Sequence, residues 1–142
     1  MTKSILVKNA LMVNDGHILE GDLLMAGGRI QRIDAEIPAT GDVRILEADG
    51  RALLPGMIDD QVHFREPGAP QKADMQSESA AALAGGITSF MDMPNTNPLT
   101  VTLAELEAKY ALAADRALAN HSFYLGATND NLTEIRNLKP DQ

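Results

Sequence analysis

The sequence predicts a mixed α/β protein: a small all-β unit over residues 1–52, then a series of βα units over residues 53–142. Three observations predict it. Before Leu53, short aliphatic runs alternate with turn dipeptides rich in Asn, Asp and Gly, the pattern of strands and tight turns. After Leu53, strand-like and helix-like segments alternate three times, the signature of a parallel sheet built from βαβ units. The densest polar chemistry, "IDDQVHFREPG" (Ile58–Gly68), lies at the end of the first of these later strands, where parallel α/β folds place their sites.

The elements follow in order. "SILVKNALMV" is strand-like, Asn14–Gly16 is a turn signal, and "GDLLMAGGRIQRID" gives two short strands around Gly27-Gly28. "DVRILEADGRALLPG" repeats the pattern with a turn at Asp49-Gly50. "LLPGMIDDQVHF" is then a strand, and the Ala-rich "DMQSESAAALAGG" a helix stopped by a glycine pair. "ITSFMDMP" is a second strand. "TLAELEAKYALAADRAL" is a helix that Thr102 caps with Glu105, and Leu103, Leu106, Tyr110 and Ala114 run along one of its faces. "HSFYLGAT" is a third strand and "NLTEIRNL" opens another helix.

Parallel strands need cover on both faces, and a closed (β/α)8 barrel takes about 250 residues. Three βα units fit either a small open layer or the first third of a TIM-type (β/α)8 barrel. The ending "LKPDQ", in mid-connection, favours the barrel, so the chain reads as its truncated beginning. A partial barrel exposes apolar edges and helix faces. The chain is therefore expected to be a homo-oligomer, poorly stable, or completed by a missing C-terminal part.

Composition bounds the function. With 44% apolar and 23% charged residues the chain is globular. A net charge of −8 with no basic stretch argues against nucleic acid or an anionic membrane as partner. Cysteine is absent, so no disulfide or thiolate metal site is possible, and any metal falls to His, Asp, Glu or a modified side chain. Neither a signal peptide nor a membrane-length apolar run is present, which predicts a cytoplasmic protein. The Asn-x-Ser/Thr triplets at Asn120 and Asn131 are read as chance.

Strand alternation puts Asp59, Gln61, His63 and Arg65 on one face, and Asp60, Val62 and Phe64 on the other. Two strand residues spaced by one can both reach a metal, as two imidazoles converge on zinc. Here the pair is Gln61 and His63. His63 is a ligand candidate, and Gln61, a neutral oxygen donor, a weaker one. Arg65 suits bidentate capture of a carboxylate, or else pairs with Glu66 or Asp92. In "MDMPNTNP" two prolines stiffen the loop around Asn95 and Asn97, with Asn95 the better candidate to meet a ligand. Asp59 and Asp60 could instead cap the next element, and His17 and His121 are ordinary surface or edge residues.

"PGMIDDQVHFREPG" followed by "GGITSFMDMPNTNP" resembles the N-terminal part of dihydroorotases, in the cyclic-amidohydrolase branch of the amidohydrolase superfamily. The pairing of Phe-Arg-Glu-Pro-Gly with Met-Pro-Asn-Thr is specific to them and to close relatives such as allantoinases. The resemblance implies that residues 1–52 belong to a small composite β-sandwich preceding the barrel. It implies reversible hydrolysis of a cyclic amide, dihydroorotate to or from N-carbamoyl-aspartate in pyrimidine biosynthesis, with one or two Zn2+ ions activating water. It makes His63 a metal ligand, places Gln61 where another histidine usually stands, gives Arg65 and Asn95 the substrate carboxylate, and gives Asp59 a supporting hydrogen bond behind the metal. The family's catalytic residues lie on later strands, so none is expected within this chain. Two other expectations remain open: a silent homologue that supports a partner such as a transcarbamoylase, or an allantoinase- or hydantoinase-type hydrolase.

Overall fold

The computed structural model describes residues 4–139. The connection expected to continue through Pro140–Gln142 lies outside the described residues. The chain divides into two compact units, Met1–Pro55 and Gly56–Gln142.

The first unit is a mixed sheet. β1 (Ser4–Asn14) pairs antiparallel with β2 (His17–Ala26), which pairs antiparallel with β3 (Arg29–Asp34). β4 (Val43–Glu47) and β5 (Ala52–Leu53) both run parallel to β1. Both hairpins turn through two residues of positive φ, Asp15-Gly16 at 49° and 73° and Gly27-Gly28 at 59° and 73°. Tight turns of this hand match the twist of the strands they join. Val7, Ala10, Met12 and Leu23 form the core. Ile30, Ile33, Ile45 and Leu46, on the flanking strands, are exposed. The described strands of this unit form one sheet, joined through β1 and β2.

One polar knot pins this sheet. The register of β1 slips between Val7 and Ala10, and Asn9 sits at φ 53°. The buried Asp22 carboxylate satisfies the groups this bulge turns inward. It accepts from Lys8 Nζ at 2.6 Å, from the Asn9 N–H at 2.9 Å and from the Ile37 N–H at 2.8 Å. Burial pushes the Asp22 carboxyl up, but the Lys8 ammonium and the two N–H donors outweigh it and hold it at about 2. Asp22→Ala is expected to cost about 3 kcal/mol at pH 7, since it strands two backbone donors and a lysine. A carboxyl lowered by folding stabilises above its ordinary range and loses that effect as pH falls toward 2. In urea melts followed by circular dichroism, the gap between wild type and variant therefore narrows from pH 7 to pH 2.5.

The second unit is three βα units. β6 (Met57–Val62), β7 (Ile87–Asp92) and β8 (Asn120–Phe123) form a parallel sheet in that order. They alternate with α1 (Met75–Ala84), α2 (Leu103–Arg116) and α3 (Leu132–Asn137). The Asp74 side chain caps α1 at the Ser77 N–H, and Gly85 ends it. Thr102 and Glu105 form the expected reciprocal cap on α2. Its inward face differs from the expected one: Leu106, Lys109 and Ala113 are buried, and Ala114 is exposed. A purely apolar stripe passes over Lys109, which is buried against Asp92. Phe64, Met75, Phe90, Leu106, Ala113 and Phe123 make the core. The aromatic pairs Phe64–Phe90 and Tyr110–Phe123 stand 4.6 and 4.8 Å apart between ring centroids. Gly56 is required by close approach, because a Cβ there would stand 2.2 Å from the Thr88 side chain.

A closed barrel is not among the described residues. Met57 and Ile58 on β6 and Leu118 before β8 stay exposed, as expected of an open set of parallel strands. No helix among the described residues is long and apolar enough to cross a membrane.

Candidate functional site

β6 carries an extra residue near its end. Asp59 stands opposite Phe90 and Val62 opposite Asp92, so three steps on β6 meet two on β7. Such a bulge breaks strict alternation. The bulge falls between Asp59 and the other members of the expected face, Gln61, His63 and Arg65. Asp59 Oδ1 accepts the Gln61 N–H at 3.1 Å across the bulge. The carbonyl of the adjacent Asp60 accepts from the Tyr124 hydroxyl at 3.0 Å. Beyond the bulge the alternation resumes: Gln61, His63 and Arg65 are exposed, while Phe64 and Glu66 are buried.

His63 and Asn95 meet. Their Nδ1 and Oδ1 atoms are 3.0 Å apart. An amide oxygen only accepts, so the imidazole donates through Nδ1 and keeps its lone pair on Nε2. A ring held this way, with its second nitrogen free, has the arrangement common to metal-ligating histidines.

Arg65 and Asn95 line one open cavity of about 340 Å3 with Pro67, Gly68, Lys72 and Asn97. Two cations line it, and no carboxylate does. The acids that Arg65 might have paired with are engaged elsewhere. Glu66 accepts from Arg116 and from the Met75 N–H, each at 2.9 Å, and Asp92 lies 2.6 Å from Lys109. Gly68, at φ 106°, lets the two loops touch: a Cβ there would stand 2.5 Å from the Asn97 carbonyl oxygen. Lys72 was not legible as a site residue, because nothing in "APQKAD" distinguishes it from any surface lysine.

Gln61 does not line this cavity. With Asp60, Met93, Pro94 and Tyr124 it lines another, of about 370 Å3, at the ends of the three strands. His121 is built into the aromatic cluster, its ring centroid 5.7 Å from that of Phe123 and its Nδ1 3.2 Å from the Ala119 carbonyl. His17 opens β2 in the other unit.

Zinc takes three or four protein ligands. Among the described residues no group of three His, Asp or Glu side chains is placed to hold a metal ion. His63 supplies one lone pair, Gln61 an amide oxygen in a different cavity, and Asp59 is turned to backbone. These residues do not by themselves make a zinc site.

Comparison with known proteins places this arrangement. A family described as "Dihydro-orotase-like" matches residues 50–140. The chain belongs to the dihydro-orotase-like family. A dihydroorotase of Carboxydothermus hydrogenoformans is 48% identical over 90 residues, 63% of this chain and 21% of its own length. An allantoinase of Solibacter usitatus is 35% identical over 130 residues, 91% of this chain and 28% of its own. Among solved structures, the L-hydantoinase (dihydropyrimidinase) of Arthrobacter aurescens matches 95% of this dihydro-orotase-like chain at a TM-score of 0.85 and 33% identity, over 30% of its own length. The chain thus spans between about a fifth and a third of these relatives.

Proposed function

We propose that this chain supplies the substrate-holding side of a cyclic amidohydrolase site, and that the substrate is an acidic cyclic amide such as dihydroorotate, interconverted with N-carbamoyl-aspartate. The observation that carries this reading is the cavity shared by Arg65 and Asn95, bearing two cations and no acid, beside the His63–Asn95 contact. Arg65 would take the substrate carboxylate through two parallel N–H donors, and Asn95 would orient it. The acidic preference separates this reading from an allantoinase or hydantoinase acting on an uncharged ring. Zinc, one or two ions, enters through the family likeness. His63 Nε2 is the one imidazole donor these strand ends offer to it, Gln61 a weaker one, and other ligands would come from outside the described residues.

The test is turnover of dihydroorotate, allantoin and hydantoin by the whole protein, with and without added zinc. Preference for the acidic ring supports the reading, and preference for hydantoin overturns it. Residues 1–142 purified alone are expected to show no turnover, because they lack a complete ligand set. Zinc-dependent ring opening by that chain would contradict this.

Gln61 favours a second reading. An amide where the resemblance places a histidine suits a silent homologue that acts as a structural partner of another enzyme, such as a transcarbamoylase. A silent subunit co-purifies with its partner at fixed stoichiometry and tolerates His63→Ala, whereas an enzyme of the first kind loses activity with that substitution.

A further inference from the structure

Behind the site lies a buried ion pair. Asp92 and Lys109 are 0% and 1% exposed, with Lys109 Nζ 2.6 Å from Asp92 Oδ2. Their surroundings are apolar: Nζ sits 4.9 Å from the Phe123 ring centroid. Two charges in such a place are costly to desolvate, and apolar residues of similar volume commonly serve stability as well or better. What the pair holds in place is more informative.

β6 ends at Val62 and β7 at Asp92, and the site residues lie just beyond both. There one more backbone bond, from the Met93 N–H to the Val62 carbonyl at 3.0 Å, joins the two strands, and side chains add to it. Asp92 Oδ1 accepts the Phe64 N–H at 2.9 Å, next in the chain to His63. Lys109 Nζ donates to the Met93 carbonyl at 3.0 Å, two residues before Asn95. The Asp92 carbonyl accepts the Tyr124 N–H at 3.1 Å, which brings in the end of β8. One pair of side chains therefore anchors the backbone on each side of the His63–Asn95 hydrogen bond.

We propose that Asp92 and Lys109 are positioning residues, whose paired hydrogen bonds to Phe64 and Met93 hold His63 and Asn95 in register and so fix the imidazole with its proton on Nδ1 and its lone pair on Nε2. The inference rests on the site proposed above, but only on its geometry, and its test needs no turnover. A failed substrate assay and a failed positioning test are separate results.

The experiment is long-range 1H–15N correlation of the His63 ring in the metal-free whole protein. Wild type is expected to show a single tautomer, Nδ1–H. Asp92→Leu/Lys109→Met removes both anchors and both charges while keeping the volume. It is expected to stay folded and to lose the single tautomer to a mixture. Asp92→Asn/Lys109→Gln removes the charges but keeps an acceptor for Phe64 and a donor for Met93, and is expected to restore the wild-type pattern. A folded Leu/Met variant with an unchanged Nδ1–H tautomer overturns the proposal. Should that variant not fold, hydrogen exchange on wild type decides: the Phe64 N–H is expected to be protected as well as the amides of β7, and fast exchange there overturns the proposal.

Discussion

Lys109→Met alone is expected to be the most damaging single substitution in the second unit, at about 3–5 kcal/mol, with the melting midpoint falling by roughly 10 °C or more. The cost does not come from losing a favourable pair. It comes from leaving the Asp92 carboxylate, at 0% exposure, with no cation, while the Met93 carbonyl loses its donor. Burial pushes the Asp92 carboxyl up even beside Lys109, which pulls the other way, and burial likewise pushes the Lys109 ammonium down. Without the lysine that opposing pull is gone and Asp92 rises further. A carboxyl raised by folding binds its proton more tightly in the native state, so the variant gains stability as pH falls toward the range where Asp92 is neutral. This sign is opposite to that of Asp22, whose carboxyl is lowered. Thermal melts of the variant at pH 5 and pH 8 check it, and a lower midpoint at pH 5 would contradict the account.

Arg65→Met carries the largest expected effect on binding. Loss of a two-pronged, charge-assisted contact to a carboxylate is worth about 3 kcal/mol, or roughly a hundredfold in KM for dihydroorotate. Arg65→Lys restores only part of it, because an ammonium cannot present two parallel donors. Stability is expected to stay within about 0.5 kcal/mol, since Arg65 is exposed and its acidic neighbours have their own cations. Hydantoin, which has no carboxylate, is the control. An equal rise in KM for hydantoin would mean that Arg65 shapes the site rather than binding the acid.

Much of the local structure was legible from short-range patterns. Asp15-Gly16 and Gly27-Gly28 turn where Gly and Asp permit positive φ. Thr102 and Glu105 cap α2 because both partners lie within one helical turn. The alternation of strand and helix after Leu53 gives three parallel strands in chain order. The site was partly legible for the same reason: His63, Arg65 and Asn95 stand at strand ends, and the structure joins His63 to Asn95 and seats Arg65 with Asn95 in one cavity. The bulge between Asp59 and Val62 depends on β7, far along the chain, and leaves no local mark. Lys109 was passed over because a lysine on a helix reads as solvated. A carboxylate in the apolar run "SFMDMP" was the one sign that a buried cation might be needed.

What the sequence by itself determined is therefore what neighbouring residues can settle: turns, caps, the order of strands and helices, and the kind of chemistry at their ends. Those features depend on backbone freedom, periodicity and side-chain type, all written within a few positions. The tertiary structure alone decided which groups meet. The burial of Asp22 beneath a bulge, the burial of Lys109 against Asp92 and the pairing of His63 with Asn95 each join residues from separate elements. Such contacts are selected by desolvation: a buried charge or donor must find its partner wherever the fold brings one, however distant in the chain.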